Sequence, residues 1–114
     1  MNDKITTDRF KNILSSQSGT TYTHNCIFSS NIYNYDILFI YTPKGIIPVY
    51  NFDGTLAPCP QYAMEGSSWR YITCIISNIG SDGLSAKIET AIWTNSSSNA
   101  GISITSIYGA KFNI

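Results

Sequence analysis

Tyr35-Asp36-Ile37-Leu38-Phe39-Ile40-Tyr41 is a strand-length run that is apolar on both sides. Alternate side chains of an extended chain point to opposite faces, so Tyr35, Ile37, Phe39 and Tyr41 share one face and Leu38 and Ile40 the other. A strand in a two-layer sandwich normally buries only one face against the core. The second apolar face here must therefore meet another layer, a covering loop or another subunit. We take Tyr35, Ile37, Phe39 and Tyr41 as a candidate oligomer interface, and the fold as an all-β antiparallel sandwich of jelly-roll-like type.

The chain on either side supports that fold. Turn-forming clusters recur at short intervals: Ser15-Ser16-Gln17-Ser18-Gly19, Ser29-Ser30-Asn31, Pro43-Lys44-Gly45, Asp53-Gly54, Gly80-Ser81-Asp82-Gly83 and Asn95-Ser96-Ser97-Ser98-Asn99. The segments between them are strand-sized, and none carries the apolar period of a crossover helix. In Trp69 to Ser77, Arg70, Ile72, Cys74 and Ile76 fall opposite Trp69, Tyr71, Thr73 and Ile75. In Leu84 to Thr94, Leu84, Ala86, Ile88 and Ile92 share the apolar face, while Ser85, Lys87, Glu89 and Trp93 lie on the polar one. Gly80-Ser81-Asp82-Gly83 joins the two as a hairpin turn. Ile102 to Phe112 reads as a final strand with a bulge or bend at Gly109. Lys44 to Ser68, interrupted by Pro48, Asp53-Gly54, Pro58 and Pro60, reads as the least regular part of the chain. Residues 1–14 are expected to be an N-terminal arm, a first strand or a helical turn, with a role in attachment; residues 15–114 form a single sandwich domain.

Composition points the same way. Isoleucine, tyrosine, threonine, serine and asparagine dominate, and good helix formers are scarce. Seven basic residues balance seven acidic ones, which argues against general binding to nucleic acid or to an anionic membrane surface. With 12% charged residues and no net charge, little self-repulsion opposes assembly. Cys26, Cys59 and Cys74 have no metal-ligand spacing; Cys26 and Cys74 fall on apolar strand faces and read as small hydrophobes, and Cys59, between Pro58 and Pro60, as a free thiol. The N-terminal residues lack the apolar core of a signal peptide, so the chain is expected to be made in the cytoplasm without export or membrane insertion. Asn95-Ser96-Ser97 is read as a turn rather than as a glycosylation site.

Catalytic chemistry finds little support. His24, the single histidine, sits in a threonine-rich strand beside Asn25 and Cys26 and reads as a hydrogen-bonded structural residue. Of the carboxylates, Asp36 caps backbone at a strand start, Asp53 and Asp82 stand beside turn glycines, Glu89 has no identifiable partner, and only Glu65 is left open. No phosphate-binding glycine loop or calcium loop is present, so no cofactor is expected. Eight tyrosines, two tryptophans and five phenylalanines offer binding surface instead, since rigid amphipathic rings stack on sugars. The candidate ligand-binding residues are Trp93, Trp69 and Tyr71 from strand parity, and Tyr50 and Tyr62 from loop placement.

Three pieces of the chain resemble a domain found near the tips of bacteriophage tail fibres and in small virion proteins. They are Ser15 to Phe28 leading into Ile32-Tyr33-Asn34-Tyr35-Asp36-Ile37-Leu38-Phe39-Ile40, the middle strands ending near Trp93, and Ile102-Ser103-Ile104-Thr105-Ser106-Ile107-Tyr108-Gly109-Ala110-Lys111. The resemblance implies a homotrimeric knob in the virion that contacts other virion proteins and displays loops to a host-cell receptor, often a surface glycan. It carries over no catalytic residue. The chain departs from such fibres in beginning at Met1 without a shaft. The alternative is a free-standing bacterial carbohydrate-binding module or lectin, and the two readings differ in assembly state.

Overall fold

The computed structural model describes residues 9–65, 68–94 and 101–112. Ten strands lie among them: β1 (Phe10–Asn12), β2 (Leu14–Gly19), β3 (Thr23–Phe28), β4 (Ile37–Thr42), β5 (Gly45–Phe52), β6 (Thr55–Pro58), β7 (Gln61–Glu65), β8 (Ser68–Ser77), β9 (Ser85–Thr94) and β10 (Ser106–Ala110). They form two five-stranded antiparallel sheets, sheet A in the order β1-β10-β4-β5-β6 and sheet B in the order β2-β3-β9-β8-β7. The expected sandwich is thus present. Hairpins stay within a sheet, and the chain changes sheet between β1 and β2, β3 and β4, β6 and β7, and β9 and β10.

The core lies between the sheets. Leu38, Ile40, Ile47, Val49 and Ile107 come from sheet A and Cys26, Phe28, Ile72, Cys74, Ala86 and Ile88 from sheet B, all buried in one cluster. Fully burying an aliphatic side chain of this size is worth about 1.5–3 kcal/mol, so this cluster is the main stabilising term. Ile13, the single residue between β1 and β2, is also fully buried, so the chain enters the core as it switches sheets.

The hairpin expected at residues 80–83 is present. β8 pairs with β9 from Arg70↔Thr94 to Ser77↔Lys87, Gly83 takes φ +70°, and the Asp82 carboxylate accepts the Leu84 N–H at 3.0 Å. The segment Asn95 to Asn99 lies outside the described residues.

Three expectations are corrected. Lys44 to Ser68 is not irregular: it contains β5, β6 and β7. Asp53 and Gly54, at φ +54° and +90°, make the two-residue turn that joins β5 to β6. In an antiparallel strand a residue's N and C=O point the same way, and the Pro48 carbonyl accepts from the Cys59 N–H at 2.8 Å. The missing proline N–H is therefore on the β6 side, past the end of that strand at Pro58, and no rung with β4 is lost. The last strand is shorter than expected, because only Ser106–Ala110 pairs in the sheet. And Gly109 is not a bulge, since it stays in register opposite Leu38. A Cβ there would lie 2.6 Å from the Tyr35 ring, so the ring fills the space that a side chain would occupy.

That contact also corrects Tyr35. A 3₁₀ turn (Ile32–Asn34) precedes β4, with the Asn31 side chain accepting from the Tyr33 N–H. The strand starts only at Ile37, so the two-residue alternation does not extend back to Tyr35. Its ring turns inward, is only 4% exposed, and belongs to the core rather than to an outer interface.

Candidate functional site

The His24 ring sits on β3 at the margin of the core. Its Nε2 lies 2.9 Å from the Ile102 carbonyl, which assigns that nitrogen as the donor, and 3.3 Å from the Thr90 hydroxyl. Thr90, 0% exposed, accepts the Ile102 N–H at 3.0 Å and lies 2.7 Å from the Ile102 carbonyl and 3.2 Å from that of Thr21. This is a polar clasp that fastens the segment after β9 back onto sheet B. Every polar contact His24 makes is to the fold itself. Two of the carboxylates are similarly occupied: Asp36 accepts the Phe112 N–H at 2.7 Å and Asp82 caps its turn. The Glu65 side chain lies outside the described residues.

Cys26 and Cys74 are buried, and desolvation pushes their thiols up from 9.0 to about 11 and about 12. On unfolding they would ionise near 9, whereas in the fold they keep their protons. The stability they contribute is complete below pH 9 and declines above it, on the order of 1 kcal/mol per thiol by pH 10. Urea unfolding followed through this range should show a falling midpoint, and a Cys26→Ala/Cys74→Ala variant a flatter one; equal slopes would remove the thiols as the cause. Cys59 is free and half-buried.

The sandwich turns two aromatic faces outward. On sheet B, strand pairing places Tyr62 of β7 opposite Tyr71 of β8, and Tyr71 opposite Trp93 of β9, while Trp69 lies two residues from Tyr71 on the same face. Their rings form a ladder: Tyr62 to Trp69 at 6.4 Å and 15°, Trp69 to Tyr71 at 6.0 Å and 9°, Tyr71 to Trp93 at 6.5 Å and 18°. Tyr62 is 67% exposed and Trp93 37%, so the ladder is open to solvent. Four near-parallel rings at this spacing make an exposed aromatic ladder whose tyrosine and tryptophan rings also carry polar groups. Towards β2 and β3 the same face becomes mostly polar through Lys87, Asn25, Ser16 and Ser18, although Ile27 and Ile75 are exposed there.

On sheet A the outward positions of the described strands carry no charged side chain. Phe10 stacks on Tyr108 at 4.8 Å and meets Phe39 at 6.0 Å, Tyr108 meets Tyr41 at 5.1 Å, and Ile46, Pro48, Tyr50 and Phe52 extend the patch across β5. The patch is contiguous, and Phe10, Ile46, Tyr50 and Phe52 within it are exposed.

Of the five candidate ligand residues, four therefore meet in one place. Tyr50 does not: it lies on β5, opposite Ile37 and 5.9 Å from Phe52, on the other sheet's face. Neither Tyr50 nor Tyr62 is on a loop, because the prolines read as strand breakers interrupt no strand pairing. Of the interface residues, Ile37, Phe39 and Tyr41 share the sheet A face and Tyr35 does not. Sequence reasoning missed Phe10, Tyr108, Ile46 and Phe52, whose common face depends on pairing between distant strands. Compared with protein-family models, curated proteins and solved structures, the chain matches none.

Proposed function

We propose that the chain is a phage virion component, a tail-fibre tip or decoration-type head domain. In this reading it assembles as a homotrimer through the outer face of sheet A and recognises a host-surface glycan through the ladder on sheet B. One observation carries this reading: the two sheets direct chemically different faces to opposite sides, one uncharged and broadly apolar, the other an exposed ladder of tyrosine and tryptophan. The first suits burial against further copies, and the second stays open when they pack. The virion half of the reading rests on the resemblance of the segments quoted above to tail-fibre tip domains.

Light scattering combined with a glycan-binding screen tests it. A trimer that binds glycans is expected, whereas a monomer that binds them would be a free-standing lectin. Trp93→Ala should weaken glycan binding by more than about tenfold and change stability by less than about 1 kcal/mol. Unchanged binding would take the ladder out of the site, and a loss of several kcal/mol would make it a structural brace.

A further inference from the structure

The outer face of sheet B does not end at the ladder. Along β9, Trp93, Ala91, Glu89, Lys87 and Ser85 alternate onto that side, and the β8 residues paired with the first four are Tyr71, Thr73, Ile75 and Ser77. At the end away from Trp93 the surface dips into a depression of about 270 Å³. Pairing among β2, β3 and β9 places Ser16, Ser18, Asn25, Ser85 and Lys87 on this same outer face, and Lys87 is the one charged residue in the lining. Trp93 and Lys87 are six residues apart on one strand, a distance of about 20 Å. Strand β9 runs through both features, which are therefore two ends of one face.

Between the ends, Ala91 and Thr73 are small, and Ile75, 60% exposed, offers an apolar contact midway. Among the described residues, the side chains of Ser18, Asn25 and Lys87 make no hydrogen bond or ion pair, so their donors and acceptors are not taken up by the fold. Glu89 stands two residues from Lys87 on the same face, which leaves the path without a net charge and makes neutral chains the natural probes. Aromatic rings at one end, an apolar middle and hydroxyl, amide and ammonium groups at the other suit a long ligand that has both C–H faces and hydroxyls. A single sugar ring is too short to touch both ends.

We propose that an oligosaccharide lies extended along β9, one end on the ladder and the other hydrogen-bonded to Ser18, Asn25 and Lys87. This rests on the glycan-binding role proposed for the ladder and adds the length of chain that the face takes. Calorimetry with the whole chain should use neutral oligomers of glucose, galactose and N-acetylglucosamine, each from the disaccharide to the hexasaccharide. Within a series that binds, the hexasaccharide is expected to bind about tenfold more tightly than the disaccharide. Asn25→Ala combined with Lys87→Ala should abolish that gain and leave disaccharide affinity unchanged, whereas Trp93→Ala should weaken every length. Neither Asn25 nor Lys87 is bonded within the fold through its side chain, so the double variant should keep the parent's Tm. Affinity that does not depend on length would overturn the proposal and leave the ladder's role standing. So would a length gain that survives the double variant, since it would then come from more rings finding the ladder alone. Failure of all three series to bind would overturn both.

Discussion

Thr90→Val is expected to destabilise the protein by about 3 kcal/mol, lowering Tm by on the order of 10 °C. Valine has nearly the shape of threonine, so packing is preserved and the change isolates the hydroxyl. That hydroxyl is fully buried and accepts the Ile102 N–H at 3.0 Å while lying within hydrogen-bond distance of two carbonyls and of His24. Without it the Ile102 N–H has no acceptor in a region closed to water, and a buried orphan donor costs more than the bond itself contributed. The Ile102 carbonyl keeps its His24 partner, which bounds the loss. Thr90→Ser, which keeps the oxygen, should lose about 1 kcal/mol. Thermal melts that place Thr90→Val within about 1 kcal/mol of the parent would show that the clasp does not hold the segment after β9.

Phe39→Glu is expected to dissociate the proposed trimer, raising its dissociation constant by about three orders of magnitude or more. Phe39 is at the middle of the sheet A face, between Tyr108 on one neighbouring strand and Pro48 on the other, with Phe10 6.0 Å away. It points away from the core, so a carboxylate is tolerated in the monomer but would lose its water in an interface. Light scattering reads the assembly state. Far-ultraviolet circular dichroism and continued protection of Cys26 and Cys74 from thiol reagents report whether the sandwich is intact. A folded variant with the parent's assembly state would show that copies do not meet on this face. Trp93→Ala, on the opposite sheet, should leave assembly unchanged.

The residues whose placement was legible in the sequence are those governed by local alternation. Trp69, Tyr71 and Trp93 point outward as parity requires, because β8 and β9 are long and regular and are joined by a turn with recognisable chemistry. Alternation fails at Tyr35 because that residue closes a 3₁₀ turn and is separated from β4 by Asp36, and Asn31, whose side chain caps the turn, is a local sign of it. Pro48 and Pro58 were misread as breaks because a sequence does not show which side of a strand a missing N–H faces. Asp53-Gly54 carried a hairpin signal that was read as an interruption. The Thr90–His24–Ile102 clasp and the sheet A face could not be read locally, since each joins strands far apart in the chain.

β10, the last of the ten strands, is not at an edge: it sits between β1 and β4, with Phe10 paired to Ala110. Until it inserts, sheet A is only the β4-β5-β6 meander, with the edge of β4 unpaired and Phe39 and Tyr41 lacking Tyr108 beside them. Such distant pairing gives a high contact order, and folding is expected on the millisecond-to-second scale. The apolar face is therefore complete only when β10 is in place, so the proposed trimer would have a finished surface to recognise only in monomers that have already paired β10 between β1 and β4.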